Sequence, residues 1–282
     1  MLHRIRVSCD AELNWIVQLQ RDLLSAVCQP DLNARTVTFD WIEGIRPDID
    51  TNWFNRFCNR KDNISGIKRS LIEHLRFIAN RPENEKQQIL KNFESNQVFN
   101  KAFDPAEVQP HPLRHVNGWP NSELIQTLRG FFTSFYDPNL YDNNGFPVPD
   151  GHNPDRFCRK KFLEQFQTTN HELGVCVLCD GDLGDPDIDH FYSKKVFPDL
   201  SCHPGNLVPI CKSCNGRARK GEKPPMDKGV EDPIHNWFHP YYRSAEGTYA
   251  VVFEEKENKI WPVLAGRNDL DQKRLDNLDN FI

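Results

Sequence analysis

Apolar residues recur at intervals of three and four through the first half of the chain, the spacing that lines one face of an α-helix. Three stretches have this pattern, and a fourth helix is predicted after Pro82, because the first turn of a helix tolerates proline. The apolar positions are Leu13, Ile16, Val17, Leu24 and Val27 in the first stretch, Ile64, Ile67, Leu71, Leu75 and Ile78 in the second, and Leu124, Ile125, Leu128, Phe131, Phe132 and Phe135 in the third. The first half is therefore predicted to be a packed set of helices.

A stretch rich in turn-forming residues then interrupts the pattern. Thirteen of the 18 residues from 137 to 154 are Asp, Asn, Gly or Pro, a composition typical of a linker or long loop. Beyond it the pattern predicts a helix over 155–169, strands over 248–254 and 259–264, and a closing helix with leucines at its apolar positions.

Length and composition limit the kind of protein this can be. At 282 residues the chain exceeds the usual size of one domain. The linker predicts a mainly helical domain over 1–150 and a second domain over 151–282, together an α+β protein. No apolar run approaches the roughly 18 residues of a membrane-spanning helix, and the N-terminus lacks the apolar stretch of a signal peptide. We expect a cytoplasmic protein that does not contact a membrane.

Charge is unevenly distributed along the chain. The net charge of -5 argues against a protein that coats nucleic acid, because such binding depends on accumulated Lys and Arg. Between residues 208 and 228, however, six basic residues stand against two acidic ones. A local basic patch on an acidic chain is typical of an enzyme that meets phosphates at one place.

Four of the nine cysteines form two C-x2-C pairs, Cys176 with Cys179 and Cys211 with Cys214. Each such turn brings two thiolates to one ion, and two turns complete a tetrahedral site without an open position for substrate. The pairs therefore predict a structural Zn2+ site. The other five cysteines share no spacing and are predicted to be reduced structural thiols: Cys9, Cys28, Cys58, Cys158 and Cys202.

Between the two pairs, the run 187–191 alternates like a strand that sends Asp187 and Asp189 to one side and His190 to the other. A bulge or turn at the strand end is the expected way to bring Asp189 and His190 to one site. Asn215 directly follows Cys214 and is expected to open a helix. Oxygen ligands from Asp189 and Asn215 suit Mg2+ or another hard divalent cation, and a neutral His190 beside them can take a proton from water. For Asp187 we favour a turn cap over an alternative metal ligand.

These residues also carry a family resemblance. The string DIDHF, followed by NLVPIC-x2-CN and then by R-x-R-K, resembles the HNH endonuclease superfamily in its zinc-stapled subgroup, whose fold is termed ββα-metal. The resemblance covers about residues 175–223, under a fifth of the chain.

The resemblance implies a role for each matching residue. His190 corresponds to the general base, and Asp189 to a metal ligand. Asn206 corresponds to the middle asparagine, which braces the loop that holds the base, and Asn215 to the third position, a second metal ligand. Ser193 departs from the pattern, because many members have proline there, and this difference concerns the geometry of the loop.

By the same resemblance the function is metal-dependent hydrolysis of DNA phosphodiester bonds. The motif is similar to that of nucleases in bacterial restriction and anti-phage systems, including Septu-type systems, in which the nuclease works beside an ATPase partner. Three alternatives remain: an RNA-cleaving nuclease, an inactive zinc-stapled module that binds nucleic acid beside an ATPase, and a helical scaffold that merely carries the nuclease. The side chains of Arg217, Arg219 and Lys220 either contact phosphates or form a solvated helix face.

Overall fold

The computed structural model describes the chain in seven stretches: 4–64, 67–103, 122–141, 145–148, 156–216, 219–220 and 236–281. Within them lie nine α-helices and three two-stranded antiparallel sheets, which confirms the α+β class. No helix in these stretches is long and apolar enough to cross a bilayer.

The helices and the strand pairs are numbered separately, each in chain order. The helices are α1 (Asp10–Val27), α2 (Phe39–Ile45), α3 (Thr51–Asn59), α4 (Leu71–Ala79), α5 (Glu83–Gln97), α6 (Ser122–Ser134), α7 (Arg159–Thr169), α8 (Lys212–Asn215) and α9 (Asp269–Phe281). The strand pairs are β1 (Asp62–Ile64) with β2 (Ile67–Arg69), β3 (Asp187–His190) with β4 (Leu207–Ile210), and β5 (Tyr249–Lys256) with β6 (Lys259–Gly266). The structure confirms five predicted helices and one predicted strand pair. The helices are those of the first and third apolar stretches (α1 and α6), the one after Pro82 (α5), the one before the first cysteine pair (α7) and the closing helix (α9), and the strand pair is β5–β6.

The prediction of a single helix over the second apolar stretch was wrong. Ile64 and Ile67 belong to the β1–β2 pair, and α4 begins only at Leu71. The Ser70 hydroxyl accepts a hydrogen bond from the Glu73 amide, and the Glu73 carboxylate accepts one from the Ser70 amide. This capping box fixes the helix start, because it satisfies two amides that lack partners in the first turn.

The described part of the predicted linker or loop is partly buried and begins with a helical turn, neither of which the composition predicted. A segment with π-helical hydrogen bonding, Phe135–Leu140, continues from α6. Phe146 is fully buried and exchanges two backbone hydrogen bonds of 2.8 Å with Phe157. The aromatic side chains within this stretch explain the difference, since burying them outweighs the local preference for turns.

The β3–β4 pair lies between two apolar clusters. Ile188 and Leu207 belong to the larger cluster, which is built mainly from the helices of the first half. Val208 and Ile210 belong to the second, which includes three of the four paired cysteines, Cys176, Cys211 and Cys214. Because the larger cluster includes residues on both sides of position 150, the clusters do not divide there, and the boundary between 1–150 and 151–282 stays a prediction.

Gly130→Ala should destabilise the helical half. Gly130 of α6 lies against the imidazole of His74 in α4, and an added methyl group would overlap that ring. Overpacking of this kind costs about 1–3 kcal/mol, measurable by urea unfolding. Gly44→Ala in α2 is the matched control, because nothing lies within 4 Å of its added methyl group and alanine favours a helix. Equal stability of the two variants would contradict this packing.

Candidate metal centre and catalytic site

The four paired cysteines converge on one point. Their sulfur atoms all lie within 4.8 Å of one another, and those of Cys179 and Cys211 are 3.9 Å apart. A tetrahedral zinc ion with bonds of about 2.3 Å separates its sulfur ligands by about 3.8 Å. The cluster is thus arranged as a structural metal site whose donors and spacing fit zinc. None of the nine cysteines forms a disulfide bond, which agrees with the prediction that the five cysteines outside the pairs are reduced thiols.

Local backbone geometry supports this cluster. Cys211 is the N-cap of α8, and its sulfur accepts a hydrogen bond of 3.4 Å from the Cys214 amide. The Cys211 amide in turn donates to the Cys176 sulfur at 3.3 Å. Amides directed at sulfur stabilise the thiolate form that a metal ion requires.

The β3–β4 pair fixes the directions of the predicted site residues. Asp189 pairs with Val208 and His190 with Leu207, in a register without an extra residue. Alternation therefore directs the Asp189 and His190 side chains to opposite faces, and the bulge expected between them does not occur. Both side chains are buried.

The His190 side chain is held by a hydrogen bond from one ring nitrogen and by an aromatic contact of its ring. Nε2 lies 3.0 Å from the Ser201 carbonyl oxygen; because a carbonyl only accepts, Nε2 carries the proton and Nδ1 keeps its lone pair. The Tyr136 ring packs edge-on at 4.3 Å between centroids, and the Tyr136 hydroxyl donates to the Ile188 carbonyl at 2.9 Å. Burial, with a smaller contribution from the Lys194 ammonium, holds the pKa of His190 well below its usual value.

Asn206 ties together the two ends of the loop that follows β3. Its side-chain oxygen accepts from the Tyr192 amide at 2.7 Å, and its side-chain nitrogen donates to the carbonyls of Tyr192 and Leu200 at 3.1 and 2.9 Å. The side chain is fully buried. Three hydrogen bonds from one buried amide restrict this loop and, through Leu200, the neighbouring Ser201 that bonds His190.

A lysine lies against Asp189. Lys220 Nζ is 2.6 Å from the Asp189 carboxylate and 2.7 Å from the His190 carbonyl oxygen, with a side chain only 1% exposed. Burial raises the pKa of Asp189, and the Lys220 charge opposes that rise. The sequence predicted either a phosphate contact or a solvated helix face for Lys220. Both roles require an exposed ammonium group, whereas the Lys220 side chain is buried, so the structure supports neither.

Asn215 lies at the end of α8 rather than at the start of a helix, which corrects the prediction. The sulfur cap at Cys211 starts α8 at Lys212, and Gly216 ends it in an extended conformation. The Asn215 side-chain nitrogen donates to the Asp187 carboxylate at 3.0 Å. Asp187 is correspondingly a strand residue and not a turn cap, on the same face of β3 as Asp189.

The two remaining basic candidates are less informative. Arg217 lies outside the described residues, as do Lys223 and Lys228 of the basic patch. Arg219 is exposed and, with Cys179 and Leu275 of α9, lines a cavity of about 500 Å3. Its contact with phosphate stays a prediction.

Sequence reasoning missed the residues that the helical half contributes. Tyr136 reaches His190, the Phe132 carbonyl accepts from the Ser201 hydroxyl at 3.1 Å, and the Asn96 amide donates to the Asp199 carboxylate at 2.5 Å. No local motif marks these residues, since each acts through a contact between segments far apart in the sequence. They join the first half of the chain to the loop between β3 and β4.

The substitution His203→Asn should make the free energy of unfolding less dependent on pH in the acid range. Burial lowers the pKa of His203 to about 4, whereas an unfolded histidine titrates near about 6.5. Between these values mainly the unfolded state binds the proton, so the free energy of unfolding falls as pH drops, by about 1.4 kcal/mol per pH unit for this residue. Urea unfolding between about pH 4.5 and 6 should give a slope smaller by about one proton in the variant.

The opposite contribution of Asp199 cancels in that comparison. Burial raises the pKa of Asp199 to about 7, so its carboxyl stabilises the folded state less as pH rises from about 4 to 7. Wild type and variant share this effect. An unchanged slope in His203→Asn would show that His203 titrates normally in the folded protein.

Comparison with known proteins gives one partial similarity. The chain is 34% identical to "Protein ea31" of Escherichia phage lambda over 103 residues. That stretch is 36% of this chain and spans only 29% of the phage protein's length. No family model matches the chain, and no solved structure matches it.

Proposed function

We propose that this protein is a metal-dependent HNH endonuclease that hydrolyses DNA phosphodiester bonds. One arrangement carries the proposal: a strand pair joined by an Asn206-braced loop holds His190 in a fixed tautomer, and its second strand, β4, leads directly into Cys211 of a four-cysteine metal site. The resemblance of the motif to restriction and anti-phage nucleases supports a defence role beside an ATPase partner.

The residues of the site divide the chemistry between them. With Nε2–H donated to Ser201, His190 Nδ1 is the nitrogen that takes a proton from the attacking water. Asp189 and Asn215, with Asp187 on the same face, offer the oxygen donors that Mg2+ prefers. In the structure the Lys220 ammonium forms an ion pair with the Asp189 carboxylate, at the place where a metal ion would bind. A bound divalent cation supplies neutralisation of the charge that develops on the phosphate.

The proposal requires the site to open. The His190 side chain is covered by Tyr136, and Asp189 is occupied by Lys220 on the opposite face of β3. Substrate therefore needs the end of β3 and these two covering residues to move. This requirement favours an enzyme that is activated by a partner or by substrate.

The same burial favours one alternative, a zinc-stapled module that binds nucleic acid without cutting it. Such a module would bind DNA equally well with and without Mg2+, and replacing His190 would leave binding unchanged. RNA cleavage is the second alternative, because none of the described site residues distinguishes the two nucleic acids.

Cleavage assays test the proposal directly. Purified zinc-loaded protein, alone and with any ATPase that co-purifies, is incubated with supercoiled DNA, linear DNA and RNA, with Mg2+ or Mn2+ and without added divalent cation. We expect DNA cleavage that requires the added cation. If the protein cleaves only RNA, then the substrate is RNA and not DNA. If it cleaves nothing under any partner condition, the proposal that it is a nuclease is wrong.

A further inference from the structure

The hairpin formed by β5 and β6 carries most of the large apolar side chains that are exposed in the described stretches. None of the residues in these two strands is buried. Eight such side chains are exposed, and six of them lie in this hairpin: Val251, Val252, Phe253, Ile260, Trp261 and Leu264. A two-stranded hairpin alone is only marginally stable in water, and clustered exposed apolar side chains mark interaction surfaces. We therefore expect this hairpin to have a binding partner.

The pairing register shows which backbone groups of the hairpin point away from the partner strand. Both residues of the two-residue turn, 257–258, have positive φ, as in the type I′ turn that is closed by a hydrogen-bonded pair, here Lys256 with Lys259. Hydrogen-bonded and non-hydrogen-bonded pairs alternate from that point. The hydrogen bond of 3.0 Å from the Arg267 amide to the Thr248 carbonyl fits the same alternation. The outward-facing residues are thus Tyr249, Val251, Phe253 and Glu255 on β5, and Ile260, Pro262, Leu264 and Gly266 on β6.

The outer edges of the two strands differ in what they offer to another strand. On β6 the Gly266 amide donates to the Gln272 side chain of α9 at 2.8 Å, and Pro262 has no amide hydrogen, so it blocks strand pairing. On β5 none of the four outward-facing residues forms a backbone hydrogen bond on that side within the described stretches. The hairpin therefore has one closed edge and one open edge.

The open edge of β5 fits the β5 edge of a second copy of the chain. In an antiparallel pair across a two-fold axis, outward-facing residues pair with outward-facing residues, and one such register places Val251 opposite Phe253 of the other copy. The outward-facing side chains of β5 share one face, so apolar side chains meet there, while no two like charges lie opposite each other. Nucleic acid suits this surface poorly, because residues 249–266 carry three glutamates against two lysines.

We infer that the protein forms a two-fold dimer in which the β5 edges of two copies pair into a four-stranded sheet. Pro262 and α9 close the outer edges of that sheet, so the pairing ends at two copies and does not continue into a filament. The added strands also stabilise the hairpin, because a sheet of three or more strands is less marginal than two strands alone. The dimer is separate from the proposed nuclease function, since the hairpin shares no residue with the cysteine cluster, His190 or Asp189.

Light scattering coupled to gel filtration, on the full-length, zinc-loaded protein, tests this pairing. We expect a mass twice the 32.9 kDa of one chain. Val251→Pro should weaken dimerisation at least about tenfold, because it removes an outward-facing amide hydrogen but no hydrogen bond within the hairpin. Phe253→Lys should also weaken it, because it adds a charge to the apolar face. Val98→Lys is the matched control, since Val98 is an exposed apolar residue outside the hairpin.

Hydrogen exchange of the wild-type protein at two concentrations gives a second readout, which keeps the test decisive if Val251→Pro disrupts the hairpin. The Val251 and Phe253 amides should exchange more slowly at the higher concentration, at which more of the protein is dimeric. A dimer that is weakened in both β5 variants and retained in Val98→Lys supports the pairing. A monomeric wild type overturns it, and the surface then belongs to a different protein. A dimer that Val251→Pro leaves equally stable also overturns it, because the copies are then joined by their apolar faces or by another surface.

Discussion

Cys176→Ala should remove the bound metal ion and unfold the region between the two cysteine pairs. The Cys176 sulfur is one of the four cluster donors and also accepts the Cys211 amide. Structural zinc contributes about 10–16 kcal/mol of binding free energy in small zinc domains, and that energy is available to folding. We expect loss of about one equivalent of zinc by elemental analysis and a large fall in the unfolding midpoint.

Cys58→Ala is the matched control for that prediction. Cys58 is a fully buried free thiol in the helical half, outside the cluster, so its replacement removes a buried sulfur atom but no metal ligand. It should cost about 1 kcal/mol and leave the zinc content unchanged. If both variants retain zinc equally, the four cysteines do not form the metal site.

The sequence predicted the elements of the fold best where a single periodicity ran without interruption. α1 and α6 follow unbroken apolar stripes. The second stripe failed because Ile64 and Ile67 happened to be in phase with α4, although the capping box at Ser70 and Glu73 was visible in the sequence. The buried Phe146 could not be predicted, since local turn composition says nothing about a partner such as Phe157.

The candidate site shows the same division between local and tertiary information. Spacing alone predicted the cysteine cluster, and strand alternation predicted the opposite directions of Asp189 and His190. The covering residues Tyr136 and Lys220 were missed or given another role, because their positions depend on packing between segments. These tertiary contacts also determine whether the site is open, which no motif records.

His190→Gln should slow cleavage strongly while leaving the fold and the zinc content intact. The glutamine amide can still donate to the Ser201 carbonyl, but it has no basic nitrogen to replace Nδ1. Loss of a general base lowers rates by about 10²–10⁴-fold. Single-turnover cleavage of labelled DNA, under whichever partner condition activates the wild type, measures the loss.

His203→Asn provides the control for this last experiment. His203 is another buried histidine of the same loop, and its Nε2 also bonds a backbone carbonyl, that of Gln97 at 3.1 Å. A loss of activity that came only from disturbing a buried imidazole would appear in both variants. Because His203 has no proposed part in proton transfer, its variant should cut within a few fold of the wild-type rate. If His190→Gln instead retains full activity, or loses zinc and unfolds, then His190 is a structural residue and the catalytic base lies elsewhere.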